Sequence, residues 1–335
     1  MTLGAGLDYI DLEFLGSAEI IATVLMHGPE GVALIDPGPS SSLPVLEAAL
    51  AARGFSSRDV RAILLTHIHL DHAGAAGTLI ARCPHAQVYV HERGAPHLVD
   101  PSKLLSSATR LYGDDMDRLW GEVRPVPEER LRVLADDRPL ETQGALRTDQ
   151  AGLRPPDAGR SGLWSGENRP LSIVGHEIEW AYTPGHAWHH VSYFSPAVRI
   201  AFVGDTAGIC RPSGRVVLPP TPPPDIDLEA WRVSTDRILA WHPDQLFLTH
   251  FGPQPAPRVH FHDLWTRMDE WSLRVKALLE RPGTDADRSQ RFMDDVMNEL
   301  TRATSRDEAM AYARAGRFDF SWAGLARYWR KKSEP

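Results

Sequence analysis

What this sequence has little of narrows it first. Two cysteines in 335 residues, Cys83 and Cys210, cannot build a disulfide framework, which fits a reducing compartment and leaves stability to the apolar core. No apolar run approaches the length that crosses a bilayer, so no membrane role is expected. The stretch from Met1 to Phe14 has neither a basic start nor a continuous apolar segment; no secretory leader is read there, and a cytoplasmic location is expected. Positive charge is short as well. Lys and Arg number 36 against 44 Asp and Glu, for a formal net charge of -8. That balance excludes an extended nucleic-acid surface, though not a small basic patch such as Arg330, Lys331 and Lys332. With 42% hydrophobic residues the chain can bury a full core, organised as one large domain with an appendage.

Histidine, by contrast, is plentiful and clustered. The run Thr66-His67-Ile68-His69-Leu70-Asp71-His72-Ala73-Gly74 follows Val60 to Leu65, an aliphatic segment that reads as a buried strand, and leads into small and apolar residues that read as a helix capped by Asp71. Three imidazoles and a carboxylate on one strand-to-helix loop are the donors a borderline cation such as zinc prefers. His67 and His69, two apart in extended chain, point the same way, while Asp71 and His72 lie beyond the bend. Three later turns repeat the arrangement, each a short apolar run ending in one ligand-type residue: Thr183-Pro184-Gly185-His186, Val203-Gly204-Asp205-Thr206 and Leu248-Thr249-His250-Phe251. Strand ends converging on one edge of a sheet are how folds of mixed strands and helices assemble sites.

With His67, His69, Asp71, His72, His186, Asp205 and His250 so placed, and Leu34-Ile35-Asp36-Pro37-Gly38 upstream, the sequence resembles the metallo-β-lactamase superfamily from about Asp8 to Pro253. The resemblance implies an α+β fold, the four-layer αββα sandwich, to which this chain adds a C-terminal helical extension. Seven ligand-type residues exceed one tetrahedral zinc and suit two ions. The family pattern implies that His67, His69 and His186 hold one ion, that Asp71, His72 and His250 hold the second, and that Asp205 bridges them. Two Zn2+ are the default, with iron or manganese as alternatives. Such a pair lowers the pKa of a shared water towards neutrality and stabilises negative charge on the group attacked. Asp71 and Asp205 are the catalytic candidates, Asp71 to pass a proton to the leaving group. Asp36 matches a position that orients ligands from behind, against the alternative of a plain turn residue.

Further candidates are His190, either a hydrogen-bond donor to substrate or a structural histidine, and the basic residues Arg211 and Arg215. In thioesterases of the glyoxalase II type a basic residue near this distance past the bridging Asp contacts an anionic thiol carrier, although the spacing here differs. Trp188 and Tyr193 read as core and Cys210 as a small buried thiol.

The expected organisation is a catalytic domain over residues 1–283, with a mobile surface loop at 141–170, and a helical extension over 284–335. Residues 95–136 mix apolar and charged positions at helical spacing and are expected as outer-layer packing, the alternative being a wall over the metal edge. The aromatic stripe from Phe320 to Trp329 must be covered, by its own domain or by a second subunit in a homodimer. The leading function is hydrolysis of a small ester, thioester or lactone. The alternatives are a phosphodiesterase or ribonuclease using the same nucleophile, and iron-dependent oxygen or persulfide chemistry, which the presence of both His72 and His250 disfavours. The expected partner is a small-molecule substrate, with no nucleic acid and no membrane.

Overall fold

In the computed structural model, which describes residues 1–4, 6–135, 170–213 and 216–333, two β-sheets lie face to face with helices outside them. The first sheet takes its strands in chain order: β1 (Thr2–Gly4), β2 (Leu7–Asp11), β3 (Ala22–Gly28), β4 (Gly31–Ile35), β5 (Val60–Leu64), β6 (Gln87–His91) and β7 (Leu131–Leu134). Pairing is antiparallel as far as β4 and parallel from β4 to β7. The change follows from the connections, since a parallel pair needs a crossover. Helix α1 (Leu43–Ala51) carries the first crossover; α2 (Leu70–Ala73) and α3 (Ala76–Arg82) carry the second; α4 (Ala95–Val99), α5 (Ser102–Tyr112) and α6 (Met116–Trp120) carry the third.

The second sheet is built from β8 (Leu171–Ile173), β9 (His176–Tyr182), β10 (Val191–Ser195), β11 (Ile200–Phe202), β12 (Gln245–Leu248) and β13 (Gly252–Pro255), again side by side in chain order. Its one parallel pair, β11 with β12, is bridged by α7 (Leu228–Ala240). Asp227 caps α7, its carboxylate accepting from the Ala230 amide at 2.9 Å. Val24, Met26, Ile35 and Leu64 from one sheet meet Ile178, Val191, Tyr193 and Phe202 from the other to form the central core. Leu46, Leu79 and Ile80 cover the outer face of the first sheet, and Ile238, Phe261 and Leu264 cover that of the second. The result is the α+β sandwich of four layers that the sequence implies. Strands buried on both faces, such as β3 and β10, read as continuous apolar runs for this reason.

Beyond the sandwich come α8 (Pro257–Leu279), α9 (Asp285–Ala303), α10 (Arg306–Gly316) and α11 (Phe318–Ser333). Thr284 and Asp287 form a capping box at the start of α9. Met268, Trp271 and Val275 of α8 interleave with Phe292, Val296 and Leu300 of α9 and with Trp322 and Leu325 of α11. Trp322, Leu325 and Tyr328 of the aromatic stripe are thus covered within their own chain. Trp329 Nε1 donates to the Ser272 carbonyl at 2.9 Å and Tyr328 Oη to Glu229 at 2.9 Å, so the polar tips of these rings are also satisfied. Gly324 allows α11 to lie directly on the chain at Thr221, where a Cβ would come within 2.0 Å of the Thr221 carbonyl oxygen. The Pro220 to Pro224 segment is therefore pressed between this extension and the sandwich. The stretch 141–169 and Arg215, both singled out from sequence, lie outside the described residues.

Candidate metal centre

Five of the seven ligand-type residues sit just past the C-terminal end of a strand, His67 and His69 after β5, His186 after β9, Asp205 after β11 and His250 after β12, while Asp71 and His72 lie in α2, which follows the β5 loop. β9, β11 and β12 run in the same direction, so their ends share one edge of the second sheet, and the β5 loop meets them there. Gly204 makes that approach close. Its φ of +46° suits glycine, and a Cβ would fall 2.5 Å from Thr66 Oγ1 and 2.7 Å from His190 Nε2.

Two groups of donor atoms result, each within 4.8 Å internally: His67, His69, His186 and Asp205, and Asp71, His72 and His250. His69 Nδ1 lies 3.0 Å from His67 Nε2 and 3.1 Å from His186 Nε2. Asp205 reaches both groups. Its Oδ2 is 3.3 Å from His186 Nε2, and its Oδ1 is 3.3 Å from His72 Nε2 and 3.5 Å from His250 Nε2. Asp71 Oδ2 completes the second group at 3.4 Å from His250 Nε2.

The outer hydrogen bonds fix which nitrogen faces inward. Thr66 Oγ1 donates to Asp36 Oδ2 at 2.7 Å and so accepts from His67 Nδ1 at 3.1 Å. His72 Nδ1 donates to Asp36 Oδ2 at 2.8 Å, His186 Nδ1 to the Pro220 carbonyl at 2.9 Å, and His250 Nδ1 to the Ile20 carbonyl at 2.7 Å. In all four histidines the Nδ1 proton is spent on an outer acceptor, leaving the Nε2 lone pair towards the cluster. Asp36 also accepts from the Thr66 amide at 2.8 Å and from Thr249 Oγ1 at 2.9 Å. One buried carboxylate thus ties the loop of His67 to that of His250, which is more than a turn residue does.

This donor set suits divalent cations. His72 Nε2 and Asp205 Oδ1 are buried and face each other at 3.3 Å without a well-aligned hydrogen bond, an arrangement that a cation would complete. Burial, then the neighbouring imidazoles, push His67 well below its ordinary range, and burial lowers His186 to about 4, so both rings stay neutral and free to donate a lone pair. Burial pulls His72 the same way, but the carboxylates of Asp205, Asp36 and Asp71 overcome it and hold the ring well above its usual value. Burial likewise opposes ionisation of Asp205, yet His72, His186 and His250 keep it well below the usual carboxylate range. Neutral rings at His67 and His186 beside ionised carboxylates suit a divalent cation, and at His72 and His250 a cation would take the place of the proton that the carboxylates favour.

A cavity of about 450 Å³ opens above His69, Asp71, Asp205 and His250. Helices α5 and α6 wall it through Leu104, Tyr112 and Trp120, which corrects the expectation that residues 95–136 are only outer-layer packing. Their mixed pattern does not reveal which neighbour covers each face. His190 does not reach the cavity. It is fully buried beneath His67, with Nδ1 3.0 Å from Thr183 Oγ1 and 3.2 Å from Thr206 Oγ1, and is therefore structural. Its neighbour His189, passed over in the sequence, lines the cavity instead. The Ile68 amide donates to His189 Nδ1 at 3.4 Å, which places the remaining proton on Nε2, and no acceptor for it occurs among the described residues. Arg211 does not line the cavity either. Its guanidinium bridges Glu19 at 2.9 Å and Glu308 at 3.2 Å, tying the Asp205 loop to the N-terminal segment and to α10. Tyr193 and Cys210 are buried as expected, and Asp71 lies in the first turn of α2 with no capping bond, the N-cap position being His69.

Comparison with known proteins agrees with this geometry. The family model of the metallo-beta-lactamase superfamily matches residues 17–250. The metallo-beta-lactamase fold-containing protein ST1585 of Sulfurisphaera tokodaii is 27% identical over 238 residues, 70% of this chain and 74% of its own length. A probable metallo-hydrolase of Streptococcus pyogenes, M6_Spy0554, is 27% identical over 183 residues, covering 55% of this chain and 60% of that protein. The metallo-beta-lactamase family protein TTHA1429 of Thermus thermophilus shares the fold over 99% of this chain and 95% of its own, with a TM-score of 0.65 at 21% identity. The chain belongs to the metallo-β-lactamase superfamily.

Proposed function

We propose that this protein is a metal-dependent hydrolase that cleaves a small carboxylic ester, thioester or lactone. The observation that carries the reading is the position of Asp205, grouped with His67, His69 and His186 yet within 3.3 Å of His72 Nε2 and 3.5 Å of His250 Nε2, at the floor of a largely apolar cavity. His67, His69 and His186 would hold one cation and Asp71, His72 and His250 the other, with Asp205 serving both. Bound cations supply a water that ionises near neutral pH and Lewis acidity towards the carbonyl oxygen.

The chain's own groups do the rest. Asp36 orients His72, and through Thr66 and Thr249 it holds the loops of His67 and His250. Asp71 is the ligand carboxylate more open to the cavity, 27% exposed against 6% for Asp205, and so is the group that moves a proton to the departing oxygen or sulfur. Burial acts against its ionisation, yet His72 and His250 hold its carboxyl at about 2, so it receives protons only transiently. His189 Nε2 offers a donor for the carbonyl. In the net reaction water adds to the carbonyl carbon, the acyl C–O or C–S bond breaks, and an acid and an alcohol or thiol leave. No oxidant or reductant enters.

The test is a panel of p-nitrophenyl esters, lactones, thioesters and bis(p-nitrophenyl) phosphate on protein loaded with zinc, iron or manganese. Turnover of a carbonyl substrate that disappears on chelation supports the proposal. Preference for the phosphodiester contradicts it.

A further inference from the structure

The hydrolase reading leaves the organic part of the substrate open, and the cavity walls bear on it. Three segments distant in sequence meet there: Phe14 from the N-terminal loop, Tyr112 and Trp120 from the α5–α6 region, and Phe320 from α11, some seventy residues past the last ligand. Phe14 stacks on Trp120 at 5.8 Å between centroids, and Tyr112 meets Trp120 edge-on at 5.0 Å and Phe320 at 5.3 Å. The rings thus form one continuous aromatic wall. Arg317 holds its far end, with its guanidinium 4.0 Å from the centre of the Phe320 ring and a 2.8 Å ion pair to Asp319.

Trp120 and Phe14 also pack on the core, yet the wall is only partly covered by the protein itself. Phe14, Tyr112 and Phe320 are only partly buried, although the chain buries its other aromatic clusters in α8, α9 and α11 almost completely. Apolar surface left facing a cavity beside a polar cluster is favourable only when something apolar covers it. At about 450 Å³ the cavity is of the size that takes small-molecule ligands and is larger than an acetyl group would fill.

Resting on the hydrolase reading, we infer that the substrate carries a hydrocarbon arm, alkyl or aryl, beside its scissile carbonyl. The arm packs on the Trp120–Tyr112–Phe320 wall, and Phe320 makes the C-terminal extension part of the specificity site. The arm belongs to the acyl side or to the alcohol side, and two substrate series separate these. p-Nitrophenyl acetate, butyrate and octanoate lengthen the acyl side; γ-butyrolactone and γ-decanolactone lengthen the alkoxy side.

On zinc-loaded protein kcat/KM should rise by up to about fourfold per methylene in the series that matches, as expected for a methylene leaving water. Phe320→Ala should cut the octanoate-to-acetate, or decanolactone-to-butyrolactone, ratio at least tenfold, while Phe320→Leu should keep most of it. Thermal melts of both variants check that the extension still folds. A second readout is independent of turnover: calorimetric titration with octanoate and with acetate, with octanoate binding at least tenfold tighter and weakened by Phe320→Ala. Turnover with no dependence on chain length in either series, or a ratio untouched by Phe320→Ala, overturns the inference. Tight octanoate binding without hydrolysis of any carbonyl substrate supports the wall and overturns the hydrolase reading instead.

Discussion

Replacing Asp36 by asparagine is the most informative single change outside the ligands. The carboxylate is 1% exposed and accepts four hydrogen bonds: from the Thr66 amide on one oxygen, and from Thr66 Oγ1, His72 Nδ1 and Thr249 Oγ1 on the other. An amide of the same size keeps one acceptor and turns the other into a donor. If its NH2 faces the Thr66 amide, two backbone-scale donors collide. If it faces His72, the hydroxyls of Thr66 and Thr249 can rotate to accept, but the imidazole cannot keep its proton on Nδ1. Either an orphaned buried donor remains, at about 1–3 kcal/mol, or His72 moves its proton to Nε2, the atom aimed at Asp205. The second route spares the fold and disables a ligand. We therefore expect metal-free Asp36→Asn to lose about 2 kcal/mol or less in urea unfolding, while zinc affinity at the weaker position falls roughly 10- to 100-fold. An asparagine variant with the wild-type urea midpoint and the wild-type zinc isotherm would refute the claim that this carboxylate sets the ligand geometry.

Other expectations follow from the same contacts. Gly324→Ala places a methyl group against the Thr221 carbonyl and should destabilise by about 1–3 kcal/mol, with weaker zinc binding because the neighbouring Pro220 carbonyl orients His186; unchanged zinc binding would show that the extension does not support the site. Truncation after Pro282 uncovers Met268, Trp271 and Val275, at roughly 1.5–3 kcal/mol for each large side chain, so the shortened chain should aggregate, and a soluble product with a wild-type melt would count against one continuous core. His91 is buried against the Tyr182 ring at 4.3 Å, and burial, with Arg93 second, lowers it to about 4. Its neutral form is favoured in the folded state, so its contribution is full above pH 6.5 and is lost as pH falls towards 4, up to about 3 kcal/mol. Metal-free His91→Phe should lose less stability than wild type across that window in urea titrations; parallel curves would remove His91 as the cause.

The parts legible in the sequence were those carried by spacing within one loop. The His67 to His72 run and the single ligands at the ends of β9, β11 and β12 are local patterns, and the structure brings all seven together. The four layers followed from the family resemblance that these motifs carry, and the two sheets bear it out. What escaped depends on contacts between distant segments. Nothing local distinguishes His190, buried among threonines, from His189, which faces the cavity. Arg211 read as a substrate contact because its partners, Glu19 and Glu308, lie 192 and 97 residues away. The mixed surface of α5 and α6 hid a cavity wall, since half-buried positions look alike whether they face a neighbouring helix or a substrate.

The central claim, that seven side chains hold two cations through a shared Asp205, is tested most directly by counting metal. Zinc per chain should be measured by elemental analysis after equilibration with excess zinc and gel filtration, for wild type and for Asp205→Ala side by side. Wild type should hold close to two ions, and Asp205→Ala should lose at least the second while keeping the circular dichroism of the folded sandwich. A wild-type stoichiometry that stays at one, or an Asp205→Ala protein that still binds two with wild-type affinity, would contradict that claim.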